Sequence, residues 1–288
     1  MDQINKVTRK QKIRDYGKHP FSLLLAIITK LAILITVLAL GFIILYILVK
    51  GVPNLTPDLF ALKYTTENVS MLPAIINTLI ITLLSLCIAG PIGIFSAVYL
   101  VEYAKKGNKL VSVIRVTAET LSGIPSIVYG LFGMLFFVTT LKCGYSLLAG
   151  ALTLSIMVLP VIMRTTEEAL LAVPNSFREG SFGLGAGKLR TIFRIVLPSA
   201  VPGILAGVIL AIGRMVGETA ALIYTAGTVA EIPSGITSSG RTLAIHMYSL
   251  SKEGLYTNQA YATAVVLLVV VVLINMLSNF VAKKFTKI

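Results

Sequence analysis

Long apolar runs dominate this chain, and short polar or basic segments separate them. A helix rises about 1.5 Å per residue and the hydrocarbon core of a bilayer is about 30 Å thick, so ~20 apolar residues can cross it. Six runs are close to that length or longer, at residues 24–49, 72–101, 121–141, 145–163, 199–223 and 260–282. The pattern predicts an all-α, polytopic membrane protein with six transmembrane helices, because a helix satisfies its own backbone hydrogen bonds in lipid.

Proline and glycine interrupt several of these runs. Pro91 follows Gly90 in the second run, Pro125 lies near the start of the third, and Pro160 lies near the end of the fourth. Because proline lacks a backbone donor, we expect a kink or a break at each position. Small residues at intervals of four predict close approach of neighbouring helices to the fifth run. They are Gly203, Gly207, Gly213 and Gly217.

Composition agrees with a membrane location, since 56% of the 288 residues are hydrophobic, 13% are charged and the mean hydropathy is +0.89. A formal net charge of +13 could indicate nucleic acid as a partner. With the N-terminus inside, however, 18 Lys and Arg lie on cytoplasmic segments and 5 on external ones. This asymmetry follows the positive-inside rule, so the basic residues set topology and contact anionic membrane lipid. No nucleic-acid partner is expected.

The same pattern gives the domain organisation. Residues 1–23 are predicted to be a basic cytoplasmic lead, residues 24–282 the transmembrane domain, and residues 283–288 a basic cytoplasmic tail. The first apolar run lacks a clean small-residue cleavage site, so we interpret it as a retained span rather than a signal peptide. Cys87 lies in mid-span and Cys143 in a short outer turn, which predicts neither a disulfide framework nor a metal site.

The cytoplasmic loop at residues 164–198 carries helix signals of its own. A hydroxyl residue is followed three positions later by glutamate twice, as Thr165 with Glu168 and as Ser176 with Glu179. This is the pattern of a capping box, in which the hydroxyl and the carboxylate each satisfy a free amide at a helix start. Two short helices are therefore predicted to begin in this loop.

Pro174 separates the two predicted helices, and the second should run from Phe177 to Gly185, where glycines offer a stop. A third segment follows with its apolar residues on one helical face, which predicts that it lies along the inner membrane surface. Those apolar residues are Leu189, Ile192, Phe193, Val196 and Leu197. The short helix would then project into the cytoplasm, where an exposed Phe177 or Phe182 suits insertion into a groove on a partner.

This loop resembles the EAA loop of bacterial binding-protein-dependent ABC importers, whose pattern is E-A-A-x3-G-x9-I-x-L-P. The matching residues are Glu179, Gly180, Ser181, Gly185, Ile195, Val196, Leu197 and Pro198, and the spacing agrees throughout. Small residues, Gly180 and Ser181, replace both alanines. The resemblance implies that the loop is a coupling helix that sits in a cleft of an ATPase subunit. The residues assigned to this contact are Glu179, Gly180, Ser181, Gly185, Phe177 and Phe182.

The chain itself is not predicted to hydrolyse ATP or to be an enzyme. The glycine-rich stretch at residues 183–188 ends in Gly-Lys, but Leu189 stands where a phosphate-binding loop needs Ser or Thr, and no strand precedes it. His19 and His246 are the only histidines, and no nucleophile stands beside a base at motif spacing. ATP hydrolysis is therefore assigned to a separate chain, and no cofactor or metal is expected.

Arg214 and Glu218 place two opposite charges inside the fifth apolar run. The two residues are four apart, so they are predicted to share one helix face, with Arg214 slightly beyond mid-membrane. A central arginine costs about 2.5–3.5 kcal/mol on insertion scales, so the pair is either an ion pair that supports the fold or part of a substrate path. A guanidinium matches two oxygens of an oxyanion, and a carboxylate can accept a hydrogen bond from protonated phosphate but not from sulfate at neutral pH.

The surrounding sequence resembles the PstA-type permease of bacterial phosphate ABC importers over roughly residues 70–282. Three segments carry the resemblance: residues 125–133, PSIVYGLFG; residues 159–170, LPVIMRTTEEAL; and residues 213–222, GRMVGETAAL. It implies a type I (MetI-like) permease fold, with Arg214 and Glu218 at positions implicated in phosphate passage. Arg164 matches a further arginine, although it can also be a positive-inside anchor.

The resemblance also implies four kinds of partner and a mechanism. The partners are a second, PstC-type permease, two PstB-type ATP-binding subunits, a PstS-type extracytoplasmic phosphate-binding protein and membrane lipid. Transport would proceed by alternating access in the inner membrane, with both termini cytoplasmic. The alternatives are a permease for another oxyanion, such as molybdate or sulfate, and an ion-coupled secondary anion carrier, which has no use for a helix that docks to an ATPase.

Overall fold

The computed structural model describes residues 20–105 and 107–286, and within these ranges the chain forms helices and no strand. In chain order the helices are α1 Pro20–Gly51, α2 Leu72–Tyr103, α3 Lys109–Ser122, α4 Ser126–Thr140, α5 Leu147–Leu171, α6 Asn175–Gly183, α7 Lys188–Val216, α8 Ala220–Ile223, α9 Leu243–Glu253 and α10 Thr257–Thr286. Five are long and apolar enough to cross a membrane, and there are six spans if α3 and α4 count as one bent pair. The prediction of an all-α, polytopic membrane protein is confirmed.

Helix α1 belongs to a unit separate from the rest of the chain, which begins at Gly51. It is 32 residues long, with Lys30 and Lys50 as its charged residues, and its most apolar window has a mean hydropathy of 3.0. A helix that is apolar around its whole circumference suits a lipid environment.

Helices α2, α5 and α7 build the core of the second unit. One apolar cluster joins Ile81 of α2 with Leu154 and Met157 of α5 and Met215 of α7. A second cluster lies where α2 and α5 end and α7 begins, and includes Leu100, Leu170 and Ile192. We call this part of the bundle, with residues 102–105, 107–109 and 171–188, the loop end.

Two of the four glycines in the fifth apolar run allow close helix packing. A Cβ atom on Gly203 would lie 2.6 Å from the Cβ of Ala169, and one on Gly207 would overlap the side chain of Thr165. Both contacts join α7 to α5, as the spacing predicts. Gly213 has open space beside it and Gly217 meets only its own helix, so the prediction is wrong for these two.

The third apolar run is not one straight span. Helix α3 ends at Ser122, α4 begins at Ser126, and the two helices meet at 103°. Pro125 precedes α4 with an extended ψ of 140°, and the residue before a proline is itself disfavoured in helical conformation. The Tyr129 hydroxyl donates to the carbonyl of Leu121 at 2.7 Å across the bend. The predicted span at residues 121–141 is thus replaced by a bent pair that starts at Lys109, and the predicted break at Pro125 is confirmed.

The fifth span differs from its predicted bounds at both ends. Helix α7 starts at Lys188, so the amphipathic segment before residue 199 is continuous with the span. A π-helical turn, Ile192–Val196, precedes Pro198, and such a turn can accommodate a residue that lacks a donor. The helix ends at Val216 with Gly217 as its C-cap, and a separate short helix, α8, follows.

Pro91 and Pro160 do not interrupt their helices. Pro91 lies inside α2 and Pro160 inside α5, and both helices continue through them. Neighbouring helices and side chains can compensate for the missing donor in a bundle of spans.

Candidate functional site

The predicted coupling helix is present as α6, which starts two residues earlier than predicted. It runs from Asn175 to Gly183 with Pro174 as its N-cap residue. Gly185 has a φ of +80°, a left-handed conformation that glycine adopts without strain and that terminates the helix. The predicted glycine stop therefore holds, although the last helical residue is Gly183.

Neither predicted capping box exists. Ser176 lies in the first turn of α6 rather than before it, and no side chain caps that helix start. Thr165 lies well inside α5, where its hydroxyl donates to the carbonyl of Val161 at 2.9 Å. Helix α5 continues to Leu171 because its buried face still packs in the core, and tertiary packing of this kind overrides a local capping signal.

Helix α6 presents one face to solvent and anchors the other. Phe177, Glu179, Gly180 and Phe182 are exposed. Ser181 is buried, and its hydroxyl lies 2.8 Å from the hydroxyl of Thr191 at the start of α7. The exposed aromatic residues are free to contact another protein, while Ser181 fixes the helix to the bundle.

Arg178 of α6 makes the densest set of polar contacts at the loop end, and no sequence motif predicts a role for it. Its guanidinium forms an ion pair with Glu102 at the end of α2, with an N–O distance of 2.7 Å. It also donates to the carbonyls of Leu170 at 2.9 Å and Val173 at 2.8 Å. The only signal in the sequence was an arginine beside Glu179, and no local pattern identifies partners 76 residues away.

Arg164 lies on α5 and is held between two carboxylates. Its guanidinium is 3.2 Å from Glu168 on the same helix and 3.5 Å from Glu119 on α3. A second ion pair joins the same two helices in the opposite sense, between Arg115 of α3 and Glu167 of α5 at 2.6 Å. The arginine and the glutamate of α3 thus each form an ion pair with a residue of opposite charge on α5.

These ion pairs border a cavity of about 460 Å³ between α3, α5 and α7. Leu210 of α7 contributes to its wall. Arg214 is four residues beyond Leu210 and therefore shares its helix face. Because Thr165 contacts Gly207, Arg164 and Arg214 differ in height by about seven helical residues, or about 10 Å. The two arginines are thus about two turns apart along the bundle.

Arg214 and Glu218 do not share a helix face, so that prediction is wrong. Helix α7 ends at Val216, between them, and Gly217 caps it. The carboxylate of Glu218 is buried and accepts a hydrogen bond from the amide of Ala221 at 3.0 Å, at the start of α8. Arg214 is half-buried, and among the described residues it forms no ion pair. The two charges therefore have separate roles in the structure. Glu218 accepts a hydrogen bond at the start of α8, and the Arg214 guanidinium has no carboxylate partner among the described residues.

A buried polar cluster lies at the opposite end of the bundle from α6. The Arg241 side chain is 6% exposed, and its guanidinium carbon stacks 4.6 Å from the centre of the Tyr64 ring. His246 of α9 contacts the same ring edge-on. Burial, with a smaller contribution from the Arg241 charge, lowers the pKa of His246 to about 3. The histidine is therefore neutral at physiological pH.

Comparison with known proteins identifies the family. Residues 89–287 match the family described as binding-protein-dependent transport system inner membrane component. The chain is 33% identical over 268 residues to a probable ABC transporter permease protein, YqgI, of Bacillus subtilis, a match that covers 84% of this chain and 89% of that protein. It is 35% identical over 262 residues to the phosphate transport system permease protein PstA of Pasteurella multocida, covering 86% and 90%. For PstA of Haemophilus influenzae the identity is 30% over 273 residues, covering 93% and 96%.

Solved structures show the same fold. A chain of a bacterial alginate ABC transporter superposes with a TM-score of 0.69 at 16% identity, covering 94% of this chain and 98% of that one. A chain of the MetNI methionine ABC transporter superposes with a TM-score of 0.58 at 20% identity, covering 75% and 94%. These likenesses confirm the type I, MetI-like permease fold. The chain belongs to the family of binding-protein-dependent transport system inner membrane components, and within it this protein is a multi-pass permease of the PstA type.

Proposed function

We propose that this chain forms half of the transmembrane path of an ATP-driven phosphate importer. The observation that carries the proposal is Arg214, a half-buried guanidinium without an ion-pair partner among the described residues, on the face of α7 that lines the cavity. A fixed positive charge in a medium of low dielectric lowers the barrier for an anion, and a guanidinium matches two phosphate oxygens. The relatives from Pasteurella multocida and Haemophilus influenzae are phosphate transport system permease proteins, which supports phosphate as the cargo.

Arg164 extends this path toward the loop end. It lies about 10 Å from Arg214 along the helix axis, and one carboxylate on each of two helices holds it. A phosphate that leaves Arg214 would next meet a guanidinium that must give up Glu119 or Glu168 to bind it. Such exchange keeps the anion from being trapped at a single strong site. Glu218 contributes by fixing the start of α8 beside Arg214 rather than by pairing with it.

The proposed assembly contains a second, PstC-type permease, two PstB-type ATPases and a PstS-type binding protein. Helix α6 would dock to an ATPase through its exposed face, which carries Phe177, Glu179, Gly180 and Phe182, with Ser181 and Gly185 fixing its orientation and length. ATP-driven closure would move α6 and rock the permeases between outward-facing and inward-facing states. ATP hydrolysis then resides on the partner chain.

The proposal includes an orientation and domain boundaries. The transmembrane domain is taken as residues 24–282, with the coupling loop at residues 164–198 and both termini in the cytoplasm. Residues 1–23 and 283–288 are the basic lead and tail, of which only residues 20–23 and 283–286 are within the described part of the chain. The basic asymmetry of the sequence supports this orientation.

Uptake of labelled phosphate into cells that carry the assembled transporter tests the proposal. We expect Arg214→Ala to reduce uptake by at least about tenfold, since a transition-state contact worth ~1.4 kcal/mol or more is removed. Lys109→Ala is the control, because Lys109 is an exposed basic residue at the loop-end start of α3 and does not border the cavity.

Competing anions and coupling ions distinguish the alternatives. Excess sulfate or molybdate should leave phosphate uptake unchanged, and strong competition by either would transfer the assignment to that oxyanion. Normal uptake by an Arg214→Ala variant that reaches the membrane would make Arg214 structural. Uptake that depends on a sodium or proton gradient, with no ATPase subunit copurifying, would indicate a secondary carrier instead.

A further inference from the structure

The guanidinium of Arg178 joins three helices at one point. Nη2 lies 2.7 Å from Oε1 of Glu102, and Nε donates to the same oxygen at 3.1 Å. Nη2 also donates to the carbonyl of Leu170 at 2.9 Å, and Nη1 donates to the carbonyl of Val173 at 2.8 Å. One side chain of α6 therefore binds the end of α2 and the end of α5 together.

The partners of Arg178 are groups that favour a cation. The carbonyls of Leu170 and Val173 lie at the C-terminus of α5, where the helix dipole favours a positive charge. Glu102 lies in the π-helical last turn of α2, a helix irregularity that is frequent at functional sites. The side chains of Arg178 and Glu102 are 15% and 9% exposed, so water screens this ion pair weakly.

The remaining attachments of α6 are weaker or more flexible. Ser181 contacts Thr191 at the start of α7 through one pair of hydroxyls. The connection from α6 to α7 contains Gly185 in a left-handed conformation and Gly187, and neither has a neighbour that a Cβ atom would meet. Within the described residues, Arg178 is thus the charged attachment of α6 to the spans.

We infer that Arg178 is a positioning residue that transmits displacement of α6 to α2 and α5. This inference rests on the proposed function, in which an ATPase moves α6. Helices α2 and α5 pack against each other along their length, so a force applied to both ends through one guanidinium moves them as a pair. Without Arg178, α6 can tilt on its glycine-containing connection while the spans stay in place.

If Arg178 transmits movement, its loss should uncouple ATP hydrolysis from phosphate uptake. If it only stabilises the fold, the ratio of the two should not change. The transporter, reconstituted in proteoliposomes with its binding protein, is assayed for ATP hydrolysis and for labelled phosphate uptake. We expect Arg178→Gln to retain ATPase subunits and ATP hydrolysis, while phosphate transported per ATP falls by about tenfold, a typical size for coupling between two sites. Glu102→Gln should give a smaller fall, since Gln still accepts a hydrogen bond and Arg178 still caps α5.

Two further variants sharpen the result. Arg178→Lys keeps the charge but loses the forked geometry, so we expect an intermediate transport ratio. Lys109→Gln, which changes an exposed basic residue at the loop end but outside the coupling loop, should behave as wild type.

An unchanged ratio of phosphate to ATP in Arg178→Gln would overturn the inference. Loss of ATPase subunits from all three variants, Arg178→Gln, Arg178→Lys and Glu102→Gln, would also overturn it, because the contact would then be needed for assembly alone. Failure of the proposed function has a different signature, namely that the wild-type proteoliposomes hydrolyse ATP without taking up phosphate.

Discussion

At the scale of single residues, the arginines discussed above fall into three groups: those paired with a carboxylate, one stacked on an aromatic ring, and one with neither arrangement. Arg178 and Arg115 each pair with a carboxylate, at 2.7 and 2.6 Å. Arg241 stacks on the Tyr64 ring, where the aromatic face offsets part of its charge. Arg214 has neither arrangement among the described residues. A charge that the protein leaves without an ionic partner is the one best suited to attract an anion from outside the chain.

His246 predicts a pH dependence of stability. Its folded pKa of about 3 lies below the unfolded value of 6.5. Protonation therefore favours the unfolded chain, and stability present above pH 6.5 is lost as the pH falls toward 3. At pH 5 the loss is about 2 kcal/mol, at ~1.4 kcal/mol per pH unit.

Thermal unfolding of the purified transporter at pH 7.5 and pH 5.0 measures this effect. Within the described residues, Arg241 and Tyr64 are the charged and titratable groups that contact or face the histidine. His246→Gln should reduce the difference in melting temperature between the two pH values. An equal difference in wild type and variant would show that other groups cause the pH dependence.

At the scale of elements, α7 packs closely along one half and has open space beside the other. Gly203 and Gly207 bring its loop-end half against α5, while the half near Gly213 has open space beside it. In a bilayer, where apolar burial contributes little to helix association, such contacts supply much of the packing energy. The tight half holds the helix in register, and the open half carries Arg214.

Alanine substitutions at two glycines of α7 test whether one half of the helix is tightly packed and the other is not. In Gly207→Ala the new Cβ lies 2.6 Å from the Cβ of Thr165, so the helices must separate or Thr165 must move. We expect a loss of about 1–3 kcal/mol, the usual cost of overpacking. Gly213→Ala is the control, which should be neutral or stabilise by up to about 1 kcal/mol through helix propensity. Equal melting temperatures for the two purified variants would contradict the assigned packing.

At the scale of the whole molecule, the bundle has two chemically different ends. The loop end carries α6 and the ion pairs of Arg115, Arg164 and Arg178. The other end carries the buried cluster of Arg241 and His246 and the turn that contains Cys143. The positive-inside rule predicts that the loop end faces the cytoplasm.

Cysteine accessibility measures this orientation. Leu184 is 91% exposed beside α6, and Cys143 lies near the opposite end of α5. With Cys87 replaced by Ala, an impermeant maleimide should label Cys143 in spheroplasts. Leu184→Cys, in a chain that also carries Cys143→Ser, should be labelled only in inverted vesicles. The reverse pattern would invert the proposed topology.

Features that depend on local composition could be predicted from the amino-acid sequence alone. Apolar length predicts where spans lie, since ~20 apolar residues suffice to cross a bilayer in any tertiary context. Pro125 predicts the break before α4, and the glycines near Gly185 predict the end of α6, because both act through their own backbone. The EAA-like spacing identified α6 before its surroundings were known.

Which charges meet depends on long-range packing and could not be predicted from the sequence. Glu102 and Arg178 are 76 residues apart in the chain, and Arg115 and Glu167 lie on different helices, so no periodicity connects them. Helix α7 ends at Val216 because Gly217 caps it there, which separates Arg214 from Glu218 although four residues suggested one face. Conversely, Thr165 remains inside α5 because packing outweighs its capping pattern. Local signals specify backbone conformation, whereas the partners of a charge depend on how distant helices fold together.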